Sequence, residues 1–182
     1  MRLHVIRHTQ PLIPVGLCYG QADVAVSEAA CITLANQLAT QLPAGLPVFS
    51  SPLQRCARLA KLLHMAPVFC ADLMEINFGD WEMQAWEHIP RNQIDAWAAA
   101  PATYRPGGLE SAVDVAQRVI HWLTELRQLD LPEAIVVTHA GIMRMLSAWQ
   151  EEVSAEGLAQ QVCTQNFSFP FGERKEILVF LQ

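Results

Sequence analysis

Three short apolar runs, at residues 3–6, 47–49 and 134–137, constrain this chain more than any other feature, because each is continuous rather than alternating and each leads into a helical pattern. A strand buried on both faces reads this way. A fourth run, 67–70, has the same character, and 176–181 alternates weakly, as an edge strand would. Strands alternating with helices predict an α/β fold, a three-layer sandwich with a mostly parallel central sheet flanked by helices.

The helical segments carry their own punctuation. Ser27 is placed to cap a helix that runs to about Gln41, before Pro43 and Gly45. Ser51-Pro52 reads as a cap and first helical position for a helix to about His64. Further helices are expected over 84–99 and 111–128, and the turn-rich stretch between them, 101–110, reads as a lid.

With 182 residues the chain fits a single domain over 1–182, and 52% hydrophobic content with 16% charged residues implies a dense core. A net charge of -6, with no basic stripe, argues against nucleic acid as a partner. A small phosphate ester remains possible, because a few local cations suffice to hold one. Charge arrives too early at the N-terminus for a secretory signal, and no apolar run approaches about 18 residues. A soluble, cytoplasmic protein without membrane contact is expected. Five cysteines without a CxxC pair argue against a disulfide framework or a thiolate zinc site and read as packing residues or inert thiols.

In open α/β sheets, ligands bind beyond the carboxyl ends of the strands. There the first run delivers Arg7-His8-Thr9, the second Ser50-Ser51-Pro52-Leu53-Gln54-Arg55, and the third Thr138-His139-Ala140-Gly141. Arg7 and Arg55 can each match two phosphate oxygens with a planar guanidinium fork, and Arg55 lies where the positive end of a helix would reinforce anion binding. Neutral imidazole can attack phosphorus, so one of His8 and His139 could be the nucleophile and the other a donor to the transferring oxygens. Either histidine alone would read as a core residue. Both, at strand ends with two arginines, read as a phosphate site.

A metal centre is not expected: His4 and His8 would stand about 13 Å apart on a strand, and His64, His88 and His121 show no ligand-like partners in the sequence. Nor is there a nucleotide-binding loop signature, so no cofactor is implied.

Taken together these segments resemble the histidine phosphatase superfamily, the phosphoglycerate-mutase-like proteins, over nearly the whole chain. Arg7-His8-Thr9 is similar to the family's opening signature, Ser50-Ser51-Pro52-Leu53-x-Arg55 to its second phosphate-binding segment, and Thr138-His139-Ala140-Gly141 to its second histidine segment. The stretch Glu75-Ile76-Asn77-Phe78-Gly79-Asp80-Trp81-Glu82 resembles its acid segment. The resemblance implies a metal-independent phosphatase with His8 as nucleophile, Arg7, Arg55 and His139 as the phosphate pocket, and Glu75 as proton donor, with Glu82 and Glu110 as substitutes. Thr9 and Ala140 replace glycines usual in the family, and Gln21, beside Gly20, would take over a substrate contact. The Tyr19-Gly20-Gln21 and Phe78-Gly79-Asp80-Trp81-Glu82 stretches look most like the α-ribazole phosphatase branch, which implies α-ribazole 5'-phosphate as substrate, in cobalamin biosynthesis. A broad sugar-phosphate phosphatase, a protein phosphohistidine phosphatase and a non-catalytic phosphate-binding relative are the alternatives.

Overall fold

The apolar runs pair into one five-stranded sheet in a computed structural model that describes residues 1–179. Its strands are β1 (Arg2–Arg7), β2 (Val48–Ser50), β3 (Val68–Phe69), β4 (Glu133–Thr138) and β5 (Arg174–Leu178), in the order β3-β2-β4-β1-β5. β1 to β4 run parallel, and β5 closes one edge antiparallel to β1. The edge strand expected over 176–181 therefore begins two residues earlier, and its last two positions, Phe180 and Leu181, lie outside the described residues.

Alternate side chains of the central strands supply two apolar cores, which explains why the runs are continuous. Ile6, Val48, Ile135 and Val137 pack with Leu38 of α1 (Glu28–Ala39) and Leu59 of α2 (Gln54–Leu63). On the other face, Leu3, Val5 and Val136 pack with α4 (Ala112–Arg127), α5 (Ala140–Ala148) and α6 (Ala155–Thr164). The result is the three-layer α/β sandwich read from the sequence.

The strand order also creates a switch point. From β1 the chain passes through α1 and over β4 to reach β2, whereas from β4 it passes through α5 and α6 and over β1 to reach β5. The connections leave the carboxyl ends of β1 and β4 in opposite directions and open a crevice between them.

Several boundaries differ from expectation. The helix expected from Ser51-Pro52 starts at Gln54, with Leu53 at the cap position and no side-chain cap. Ser51 is occupied elsewhere: its hydroxyl accepts from Leu53 N and meets His139 Nε2 at 2.8 Å. The helix expected from residue 84 starts at Arg91, as α3 (Arg91–Ala99), because Pro90 disfavours helical backbone at Ile89 and ends a separate 3₁₀ turn. Helix α6 was not anticipated, since Gly157 in its first turn weakens a pattern that the Ser154 cap and the buried Leu158, Ala159 and Val162 otherwise support. Helix α4 begins where expected, with a reciprocal capping box between Ser111 and Asp114.

Above the carboxyl edge sits a third, aromatic cluster. Trp81 and Ile89 are buried with Cys18, and Phe78, Trp97 of α3 and Tyr104 pack against them. Segment 101–110 joins this cluster through Tyr104 and is tied to α4 by Arg105 with Asp114. Gly107, at φ +66, lies so near Phe78 that an added Cβ would fall 1.7 Å from its carbonyl oxygen, so no other residue fits there without moving the acid segment.

Trp81 also donates through its indole N-H to Gln93 at 2.7 Å, joining the 3₁₀ turn at 79–81 to α3. Trp81→Ala is expected to cost about 3 to 5 kcal/mol of stability in chemical denaturation. A cost below about 1 kcal/mol would show that the cluster contributes little to the fold.

Candidate active site

Register brings the two histidines together. Arg7 of β1 pairs with Thr138 of β4, and His8 N donates to Thr138 O at 3.1 Å. The next residue of each chain segment is a histidine, and the two rings stand 5.1 Å apart in an edge-on arrangement. Both are buried, His8 at 2% and His139 at 0% exposure.

Hydrogen bonds define the tautomers. His8 Nδ1 lies 2.7 Å from Thr9 O, a group that only accepts, so Nδ1 carries the proton and Nε2 keeps its lone pair. His139 Nδ1 accepts from Arg55 Nε at 3.2 Å, which leaves its Nε2-H to donate to Ser51 Oγ. Burial first, and then Arg55 and Arg7, push His8 down from 6.5 to about 3. Burial likewise holds His139 well below the ordinary histidine value, reinforced by His8 and Arg55. Both imidazoles are therefore neutral at physiological pH.

The arginines flank this pair. Arg7 extends from the end of β1, lies 3.8 Å over the Phe171 ring and donates through one terminal nitrogen to Phe169 O. Its Nε-H is buried without a partner among the described residues, a donor left over for a ligand. Arg55, fully buried in the first turn of α2, donates to the carbonyls of Ala22 and Gly20 as well as to His139. Two of its five N-H groups remain. The helix terminus itself is less open to an anion than expected, because Asp23 takes the Gln54 N-H at 2.7 Å. Tyr19, noted in the sequence only as part of a branch signature, lies under Arg55 and lines the same cavity, its phenol held protonated chiefly by burial.

The three candidate acids, Glu75 and Glu82 of the acid segment and Glu110 of segment 101–110, have different partners. Glu75 accepts from its neighbour Ile76 N at 3.1 Å and from Gly141 N, just past His139, at 3.2 Å. A Cβ at Gly141 would sit 2.2 Å from the Glu75 carboxylate, so the absence of a side chain there is what lets Glu75 approach. Glu82 is consumed by the backbone N-H groups of Gln21, Ala22 and Phe78. Glu110 pairs with Arg118 at 2.8 Å and accepts from Asn77 N. Arg118, also missed in the sequence, donates to the carbonyls of Asp72 and Glu75 and so fixes the loop that carries Glu75.

Arg7, His8, Arg55, Glu75 and His139 line one small cavity of about 130 Å³, and Gly20 joins them. Gln21 does not line it; its side chain bridges the Glu75 carbonyl and Asn77. Away from this site, His121 does have ligand-like partners, contrary to expectation. Helical spacing brings Glu125 to it, and the turn at 71–73 brings Asp72, whose carboxylate lies 2.9 Å from its ring. This exposed group behaves as an ion-pair cluster that raises His121 above the ordinary histidine value. No helix among the described residues is long and apolar enough to cross a membrane.

Residues 3–169 match the family described as the histidine phosphatase superfamily (branch 1). Among solved structures, the α-ribazole phosphatase from Shigella flexneri is similar with a TM-score of 0.80 at 25% identity, over 99% of this chain and 91% of that one. The protein TTHB049 from Thermus thermophilus is similar with a TM-score of 0.73 at 28% identity, over 98% of both chains. The phosphoglycerate mutase from Thermus thermophilus is similar with a TM-score of 0.71 at 29% identity, over 98% of this chain and 97% of that one. No curated protein sequence matches.

Neutral burial of His8 has a consequence for stability. Unfolding restores an ordinary histidine, so between pH 6.5 and about 3 the unfolded chain binds the extra proton. The contribution of His8 is therefore complete above pH 6.5 and is lost as pH falls towards 3. Denaturation midpoints measured across this range should fall less steeply for His8→Asn than for the parent chain. Parallel curves would mean that His8 is not held neutral by the fold.

Proposed function

This chain belongs to the histidine phosphatase superfamily, and on that premise we propose that it is a metal-independent phosphomonoesterase working through a phosphohistidine at His8. The observation that carries the reading is the His8 tautomer: Nδ1-H bound to Thr9 O leaves a bare Nε2 lone pair in a cavity that also holds two guanidiniums.

In the first step Nε2 attacks phosphorus, the N-P bond forms, and the P-O bond to the alcohol breaks. The Arg7 Nε-H and the spare N-H groups of Arg55 neutralise the phosphoryl oxygens, which is the charge that a metal would otherwise supply. Glu75, as its carboxylic acid, gives its proton to the departing alkoxide. In the second step the resulting carboxylate takes a proton from water as the water oxygen attacks phosphorus, which releases inorganic phosphate and restores neutral His8. His139, neutral and bound to Arg55, orients that guanidinium and contributes its own N-H to the transferring oxygens once Ser51 releases it.

For the substrate we propose α-ribazole 5'-phosphate. Support comes from the similarity to the α-ribazole phosphatase from Shigella flexneri and from the Tyr19-Gly20-Gln21 and Phe78-to-Glu82 stretches. That assignment would make the chain a cytoplasmic enzyme of cobalamin biosynthesis. Segment 101–110 would then act as the lid beside the leaving group. Mutase chemistry, the activity named for the Thermus phosphoglycerate mutase, would pass the phosphoryl group to a second hydroxyl instead of water, and release of inorganic phosphate separates the two.

Acid-quench labelling should place phosphate on nitrogen, stable to base and lost in acid, and His8→Ala should abolish both label and turnover. Label that survives acid would assign the nucleophile elsewhere. Glu75→Gln should slow alkyl esters by about 10²-fold or more and nitrophenyl phosphate far less, because nitrophenolate departs without a proton. Equal slowing of alkyl and aryl esters would remove Glu75 from the acid role.

A further inference from the structure

Beside the small polar cavity lies a second, larger one of about 500 Å³, within the range of about 300 to 1,000 Å³ typical of small-molecule sites. The two share Glu75 and Phe78. Glu75 thus stands at their junction, where the bond between a phosphoryl group and its leaving alcohol would lie. A substrate with its phosphoryl group between Arg7 and Arg55 would extend its alcohol into the larger cavity.

The walls of that cavity come from several elements and are mainly apolar. Trp97 comes from α3, Pro101 from the segment after it, Met145 from α5, Val162 from α6, and Phe167 from the stretch after α6. Polar groups besides Glu75 are few: Gln165, Asn166 and the exposed Arg144, which has no ion pair or hydrogen bond among the described residues. An alcohol dense in hydroxyl groups would lose water here and find few partners in return. An apolar ring would gain from burial, at about 25 cal/mol per Å² of surface removed from water. A planar guanidinium at an open rim lies readily over the face of such a ring.

We infer that this cavity is the leaving-group subsite and that it selects phosphate esters of neutral, ring-bearing alcohols over esters of small or polyhydroxylated ones. The inference rests on the phosphatase reading above and adds to it the residues that choose the substrate. Trp97, Val162 and Phe167 form the walls, and Cys163, an exposed free thiol, lies within the cavity lining. The other four cysteines are buried or half-buried, so Cys163 also serves as a reporter of occupancy.

Two alkyl esters isolate the subsite, because both leave as alkoxides and demand the same proton from Glu75: 3-phenylpropyl phosphate and ethyl phosphate. The parent chain should favour the ring-bearing ester in kcat/KM by about tenfold or more, the range that apolar contacts in a pocket provide. Cys163→Trp, which fills the cavity, and Trp97→Ala, which removes a wall, should each lower that ratio by about tenfold. Folded, active variants with an unchanged ratio would overturn the subsite. A second readout needs no turnover: in the His8→Ala chain, 3-phenylpropyl phosphate at about ten times its Kd should slow alkylation of Cys163 by about tenfold, followed by peptide mass spectrometry, while ethyl phosphate should not. Absence of protection would refute the subsite whatever the activity. Protection without hydrolysis of any ester by the parent chain would instead uphold the subsite and refute the phosphatase reading.

Discussion

Parallel pairing of β1 with β4 at the centre of the sheet determines where Arg7 and the two histidines of the candidate site stand. Both strands are apolar on both faces, so alternation of polar and apolar residues does little to choose their register. Specific polar contacts at the two ends do more. Near one end His4 meets Glu133 at 3.0 Å, and at the other His8 N-H finds Thr138 O. With that register, a histidine one residue beyond each strand arrives beside its counterpart. The opposite courses of the two outgoing connections leave the space in front of them open.

The same burial that locates these histidines decides their charge. An exposed imidazole beside two arginines would be partly protonated near neutral pH, and its lone pair would be lost for part of the time. Here burial is the largest influence on both rings, and the guanidiniums act in the same direction. The pocket therefore joins fixed positive charge with neutral imidazoles, two properties that support each other, because a nearby cation disfavours protonation of the ring. The carboxylates divide in a comparable way: Glu82 is committed to three backbone N-H groups and Glu110 to Arg118, which leaves Glu75 alone among the three facing both cavities.

The gathering of Arg7, His8, Arg55 and His139 at strand ends was legible in the sequence because it depends on local order: a strand, then a turn, then a helix, each marked by neighbouring residues. Arg7, His8, Arg55, His139 and Glu75 all come to one cavity. What escaped depends on partners distant in sequence. Ser51 looked like a helix cap, but His139, 88 residues away, claims its hydroxyl. Gln21 looked like a substrate contact, but Glu75 and Asn77 hold its side chain. Arg118 sat unmarked on a helix face, since only the fold shows that the carbonyls of Asp72 and Glu75 converge on it. His121 appeared isolated for the same reason, because its nearest carboxylate comes from a turn 49 residues earlier.

The two cavities depend on the main cores to different degrees, and this bears on how substrate choice would arise. The small cavity hangs mainly from the ends of β1 and β4 and from the first turn of α2, so its geometry cannot change without disturbing the main cores. The walls of the larger cavity come partly from a main core, through Val115, Met145 and Val162, and partly from Trp97 and Phe78 of the smaller aromatic cluster and the exposed Cys163, Gln165 and Asn166. Substitutions among the exposed and aromatic-cluster residues alter volume and polarity while leaving the sheet intact. Glu75 lines both cavities and is anchored by Arg118 and by Gly141 N-H, so the proposed proton donor keeps its place however the outer walls vary. The exposed and aromatic-cluster walls of the larger cavity can therefore vary at little cost to the fold, whereas Val115, Met145 and Val162 are tied to the same core as the strands that carry the histidines.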